Sequence, residues 1–108
     1  MSLFVLPAWF FGGVFLTNAV PHGVAGLQGR AFQSPFAKPP GVGLSSPRVN
    51  VTWSVINLLL GWVLLTQVGA FDIRAWMDAA PLFAGVVAMG LYVSGYFGRF
   101  YADAADRE

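Results

Sequence analysis

Cysteine is absent and charge is scarce. Without thiols there is no disulfide, thiolate metal site, iron–sulfur cluster or cysteine nucleophile, and the redox compartment leaves no mark. Only 10% of the residues are charged, against about a quarter in an ordinary soluble domain, while 56% are hydrophobic. That balance excludes disorder and points to lipid as the solvent. A net charge of +1, with no basic stripe interleaved with aromatics, excludes a nucleic-acid partner. Histidine occurs once, and every acidic residue lies at Asp72, Asp78 or in the tail at Asp103, Asp106 and Glu108. No apolar segment therefore holds a carboxylate pair or a second histidine, no hydrolase or metalloprotease set can be assembled, and the chain is expected to be non-catalytic.

What is present is three long apolar runs. The first, Leu3 to Val20, has 18 residues without a charge, and at 1.5 Å per residue it reaches roughly 27 Å, close to the hydrocarbon thickness of a bilayer. A secretory signal would compete for this segment, but it has no positive n-region, and Asn18-Ala19-Val20 is a poor small-x-small cleavage site. Pro7 is tolerated in the first turns, and Pro21 with Gly23 is expected to kink or end the helix. The second run covers about 48–69, with Ser46 as N-cap and Pro47 at the first helical position. The third covers about 79–101, with Asp78 as N-cap and Pro81 inside the first turn. The expected fold is an all-α membrane protein with three transmembrane helices, a single domain, an outer turn at 70–78 and an acidic tail at 102–108.

Residues 21–47 differ in kind, with five of the seven prolines, several glycines, Arg30 and Lys38, and Arg48 just beyond. No regular helix fits this composition. Pro40-Gly41 suits the centre of a type II turn. Leu27, Phe32, Phe36 and Leu44 keep the loop half apolar, so it should lie against the helices near His22 and Asn50. Any part that dips into the bilayer must be covered by protein, because bare backbone polar groups are costly in lipid. Arg30, Lys38, Arg48, Arg99 and Arg107 fall on one side of the expected topology and only Arg74 on the other. By the positive-inside rule, the loop and C-terminus face the cytoplasm and the N-terminus faces outward, with Trp76 as an interfacial anchor.

Two constellations stand out. In the third helix Gly90, Ser94 and Gly98 recur every four residues, with Ala84 and Ala88 (and Ala80) in a second row. Small residues at that spacing let helix backbones approach closely in lipid. They are expected to pack either within the chain or against another subunit or copy. The second constellation is polar. Asn50, Ser54, Asn57 and Gly61 share one face of the second helix, and Asn57 lies near mid-membrane, where an amide needs a partner. Asn18 and His22 at the end of the first helix, Asn50, and Arg99 near the end of the third should reach one depth and form a polar cluster or pathway mouth. A lone histidine cannot hold a metal with protein ligands alone here, although it could be an axial ligand to haem or a chlorin pigment; no cofactor is otherwise expected.

Asn18-Ala19-Val20-Pro21-His22, then Gly26, Gly29, Phe32, Ser34-Pro35-Phe36, Pro39-Pro40-Gly41, Gly43, Ser45-Ser46-Pro47 and Asn50 with Trp53 make a pattern over residues 15–60. It resembles small uncharacterised bacterial integral membrane proteins. The resemblance implies a bacterial inner-membrane location and a loop with one defined structure, and it transfers no catalytic role to any residue. Three functions are thus expected in turn: a non-catalytic subunit of a larger membrane assembly or homo-oligomer, a homo-oligomeric small-solute transporter or channel, and a pigment-binding subunit using His22.

Overall fold

The computed structural model describes residues 3–101; the acidic tail and Met1 lie outside the described residues. Three helices make up most of it: α1 (Val5–Leu27), α2 (Pro47–Thr66) and α3 (Trp76–Tyr101). All three are long and apolar enough to cross a membrane.

The first helix does not stop at Pro21, which lies inside α1. A proline removes one N–H from the helical ladder, but the turns after it are held by close packing against α2. A Cβ on Gly26 would lie 2.6 Å from the Pro47 carbonyl oxygen, and one on Gly23 would lie 2.7 Å from Ser54 Oγ. The actual stop is at Gly29, whose φ is +72°. Its N–H donates to the Gly26 carbonyl at 3.0 Å, and the Arg30 N–H donates to Ala25 at 2.9 Å. This bond pair is a Schellman motif, which needs the left-handed backbone that glycine adopts freely. The loop proper is therefore 28–46, seven residues shorter at its start than the composition suggested.

The start of α2 is as the sequence reads: the Val49 N–H donates to Ser46 Oγ at 3.2 Å, with Pro47 following the cap. The helix ends at Thr66, three residues early. The start of α3 corrects a second expectation. Asp78 is not its N-cap but sits inside the first turn, and its carboxylate accepts the Asp72 N–H at 2.9 Å. Asp72 in turn accepts the Arg74 N–H, an Asx turn. The buried Asp78 thus ties down the α2–α3 connection, and α3 begins earlier, at Trp76.

α1 is the central element. α2 and α3 each pack along it and hardly meet each other. At the end near the α2–α3 connection the core is apolar, made of Val5, Trp9, Leu65 and Leu82, with Trp9 Nε1 donating to the Val68 carbonyl at 2.9 Å. At the opposite end lies the 28–46 loop. Within it β1 (Phe32–Gln33) and β2 (Leu44–Ser45) pair antiparallel, Phe32 opposite Ser45. Between them Val42 N–H donates to the Pro39 carbonyl at 3.0 Å and Gly41 has φ +74°, the geometry of a type II turn over Pro40-Gly41. The Lys38–Pro39 peptide is cis.

Candidate functional site

The buried positions of α2 are Asn50, Ser54, Asn57, Gly61 and Leu65, steps of four, three, four and four that make one stripe facing α1. Each of the first three finds a polar partner there. Asn57 is fully buried; it accepts from Asn18 Nδ2 at 3.0 Å and donates to the Trp53 carbonyl at 2.8 Å. Ser54 donates to the Ala19 carbonyl at 2.7 Å, one turn before His22. Asn50, also fully buried, is the most connected. Its Nδ2 donates to the carbonyls of Phe32, Ser45 and Ser46 at 3.1–3.2 Å, and its Oδ1 lies 2.8 Å from His22 Nδ1. One asparagine on α2 therefore binds the hairpin of the loop, the cap of its own helix and the histidine of α1.

These bonds settle the histidine's tautomer. Three carbonyls can only accept, so the nitrogen end of the Asn50 amide must face them and its oxygen must face His22. Nδ1 then carries the proton and donates. In the neutral ring Nε2 is left as a bare acceptor, the arrangement by which a second group commonly orients a ligating or hydrogen-bonding imidazole.

The loop is held from the other side by aromatic residues of α3. Tyr101 stacks on Phe32, 5.5 Å between centroids and 12° between planes, and its hydroxyl donates to Gln33 Oε1 at 2.8 Å. Tyr96 Oη donates to the Gly41 carbonyl at 2.6 Å. Phe97 packs edge-on to His22 and tilted against Phe32. Ser34 orders the loop itself: its hydroxyl meets that of Ser45 at 2.6 Å and accepts the Phe36 N–H.

α2 and α3 hardly meet each other, and a cleft of about 310 Å³ is lined by both of them, by α1 and by the loop. Asn18 and His22 of α1 form its floor, and Trp53 of α2 one wall. Met89, Tyr92, Val93, Tyr96 and Phe97 of α3 form the other wall, and the loop closes the end with Gln33, Ser34 and Gly41. Of the polar residues singled out from the sequence, Asn18, His22, Asn50 and Asn57 are brought together, while Arg99 is not. Arg99 is exposed, its Cζ lies 4.5 Å from the Tyr96 ring centroid, and its Nε donates to the Tyr96 carbonyl at 3.3 Å. Asn57 does not line the cleft.

The small residues of α3 fall elsewhere too. Ala84, Ala88 and Ser94 are exposed, and the Ser94 hydroxyl bonds back to Leu91 within its own helix. A Cβ on Gly90 would make only an ordinary contact, 3.9 Å from the Thr17 methyl, and one on Gly98 would meet nothing. The α1–α3 contact is instead made by Gly13 and Gly85. A Cβ on Gly85 would collide with the Phe10 carbonyl oxygen, and one on Gly13 with that of Leu82.

Sequence reasoning missed Gln33, Ser34, Tyr96, Phe97 and Tyr101. The available signal was the four-residue aromatic spacing of Tyr92 with Tyr96 and of Phe97 with Tyr101, which places rings on adjacent strips of one helical face. Among the described residues no cluster of three or more His, Asp or Glu could hold a metal ion. No known protein family, curated protein or solved structure matches the chain.

Proposed function

We propose that this chain is a three-span protein of the bacterial cytoplasmic membrane and acts there as a non-catalytic subunit of a larger membrane assembly, formed with other subunits or with copies of itself. The observation that carries the reading is an inverted polarity. The stripe α2 turns inward holds Asn50, Ser54 and Asn57, whereas Val55, Leu58, Leu59, Trp62 and Val63 are exposed on its outward face. α3 likewise exposes Phe83, Val87 and Leu91, the last by 71%. A soluble monomer rarely leaves an apolar surface of that extent bare, and in lipid such a surface is the solvated one. Asn50, Ser54 and Asn57 of α2 each find a polar partner on α1, with the loop and α2's own carbonyls supplying the rest, as a span must arrange when no water is at hand.

The subunit role rests on the face of α3 that carries Ser94, Gly95 and Gly98. Added Cβ atoms on Gly95 and Gly98 meet nothing within 4 Å, so a neighbouring helix could approach the backbone closely there. The charge distribution orients the 28–46 loop and the tail toward the cytoplasm and the 67–75 connection outward.

The absence of native cysteines makes the topology directly testable. Single-cysteine variants Ile73→Cys and Lys38→Cys are labelled in intact cells with a membrane-impermeant maleimide. Ile73→Cys should react and Lys38→Cys only after lysis; the reverse pattern, or no membrane retention, overturns the reading. The assembly role is tested by Ser94→Leu with Gly98→Leu, which has room within the monomer. It should cut the co-purified or crosslinked oligomer by about tenfold, and an unchanged detergent-solution mass counts against this face.

A further inference from the structure

We propose that the cleft between α2 and α3 binds a neutral hydroquinone-class head group from the lipid phase, with His22 Nε2 accepting a hydroxyl proton of the ring. The inference goes beyond the subunit role and rests on the membrane reading only for the route by which the ligand arrives.

Four observations converge on this occupant. First, Asn50 forces the His22 proton onto Nδ1, so the neutral ring offers a lone pair and asks for a donor. Among the described residues Nε2 has no hydrogen-bond partner, yet it is not a buried orphan, because the buried side-chain polar atom without a partner there is Trp53 Nε1. His22 therefore keeps access through the cleft that it lines. Second, the Trp53 indole lines the same cleft and adds a further ring against which a flat guest can pack. A ring hydroxyl that donates to Nε2 answers the free lone pair of His22.

Third, no residue lining the cleft is charged, so an anionic phosphate head group would be desolvated without a counter-charge. Tyr92, Tyr96 and Phe97 instead present rings, which favour a flat aromatic guest over an alkyl alcohol. Fourth, about 310 Å³ is at the bottom of the usual range for ligand pockets, roughly 300–1,000 Å³, and suits one substituted ring better than a tetrapyrrole. Tyr92 lines the cleft and is itself exposed, so an aliphatic tail could run out past it into lipid.

The test is calorimetric titration of the full chain in detergent micelles with decylhydroquinone, kept reduced, and separately with its oxidised quinone. The reduced form should saturate one site. The quinone, which has no proton to give Nε2, should bind about tenfold more weakly. His22→Asn retains an amide N–H to meet Asn50 Oδ1 but removes the Nε2 acceptor; it should weaken hydroquinone binding about tenfold while the helical circular dichroism stays unchanged. Val93→Trp fills the cleft and should abolish binding of both forms. Equal affinity for the two oxidation states, hydroquinone binding that survives Val93→Trp, or no saturable heat from a helical protein overturns the proposal. Should His22→Asn unfold, the comparison of oxidation states on the unaltered chain still decides. Because the titration needs no inserted protein, its failure is distinct from a failure of the topology.

Discussion

The two sides of α1 are built on different physics. Toward α2 it meets a polar seam, in which Asn18, Ala19 and His22 bond to Asn57, Ser54 and Asn50. Toward α3 it meets a steric seam. There Gly13 and Gly85 bring backbones into contact, and no side-chain hydrogen bond joins the two helices among the described residues. Directional bonds fix register and rotation, because a slip of one residue orphans several buried groups at once. Close backbone contact fixes distance but tolerates sliding. The loop is clamped by the polar seam, so the register of α2 on α1 also sets the shape of the cleft end.

The comparison predicts that the largest loss comes from the polar seam at Asn50. Asn50→Asp keeps the shape but removes the Nδ2 donor from the carbonyls of Phe32, Ser45 and Ser46, of which Ser46 retains the Asn50 backbone N–H, and places a carboxylate oxygen among them. The expected cost is about 3 kcal/mol or more, read as a lower midpoint when micelles of the folded protein are titrated with a denaturing detergent. Limited proteolysis should then cut first in the 28–46 loop. If the variant keeps the parental midpoint, the clamp is not what holds the loop. The steric seam comes next. Gly85→Ala forces α3 away from the Phe10 carbonyl, at about 2 kcal/mol, and should leave proteolysis of the loop slow because Asn50 is untouched. A Gly85→Ala variant as stable as the parent would mean that α3 slides freely on α1.

Much of the polar seam was legible in the sequence. The recurrence of Asn50, Ser54, Asn57 and Gly61 is a local pattern, and a local pattern survives folding. So is the Ser46-Pro47 start of α2, which depends on two adjacent residues. The steric seam was illegible because it rests on one glycine from each helix, and a single Gly13 or Gly85 leaves no periodicity. The conspicuous row of Gly90, Ser94 and Gly98 was attractive for the opposite reason, yet it lies away from α1 for most of its length. Pro21 misled as a helix stop, since its cost is offset by docking of Gly23 and Gly26 on α2. That contact joins residues more than twenty positions apart. The aromatic clasp of Tyr96 and Tyr101 on the loop spans still longer separations, and the misplaced Arg99 follows from it, because the helical face that reaches the loop belongs to the aromatics.

The finest discrimination lies within the polar seam itself. Asn18 and Asn57 share one hydrogen bond at mid-helix, but Asn57 keeps a second bond to the carbonyl of Trp53, on its own helix. Losing Asn18 therefore leaves Asn57 partly satisfied. A double-mutant cycle of Asn18→Leu and Asn57→Leu isolates the shared bond, and a coupling of about 0.6–1 kcal/mol is expected, the usual size for an interhelical bond in lipid. A coupling several times larger would mean that mid-helix and loop-end bonds act as one network; a coupling near zero would shift the whole weight of helix registration onto Asn50 and Ser54. Asn57→Leu alone should cost less than Asn50→Asp, because it frees one helical carbonyl already bonded within α2, whereas Asn50→Asp takes the side-chain donor from the loop carbonyls of Phe32 and Ser45 as well as from Ser46.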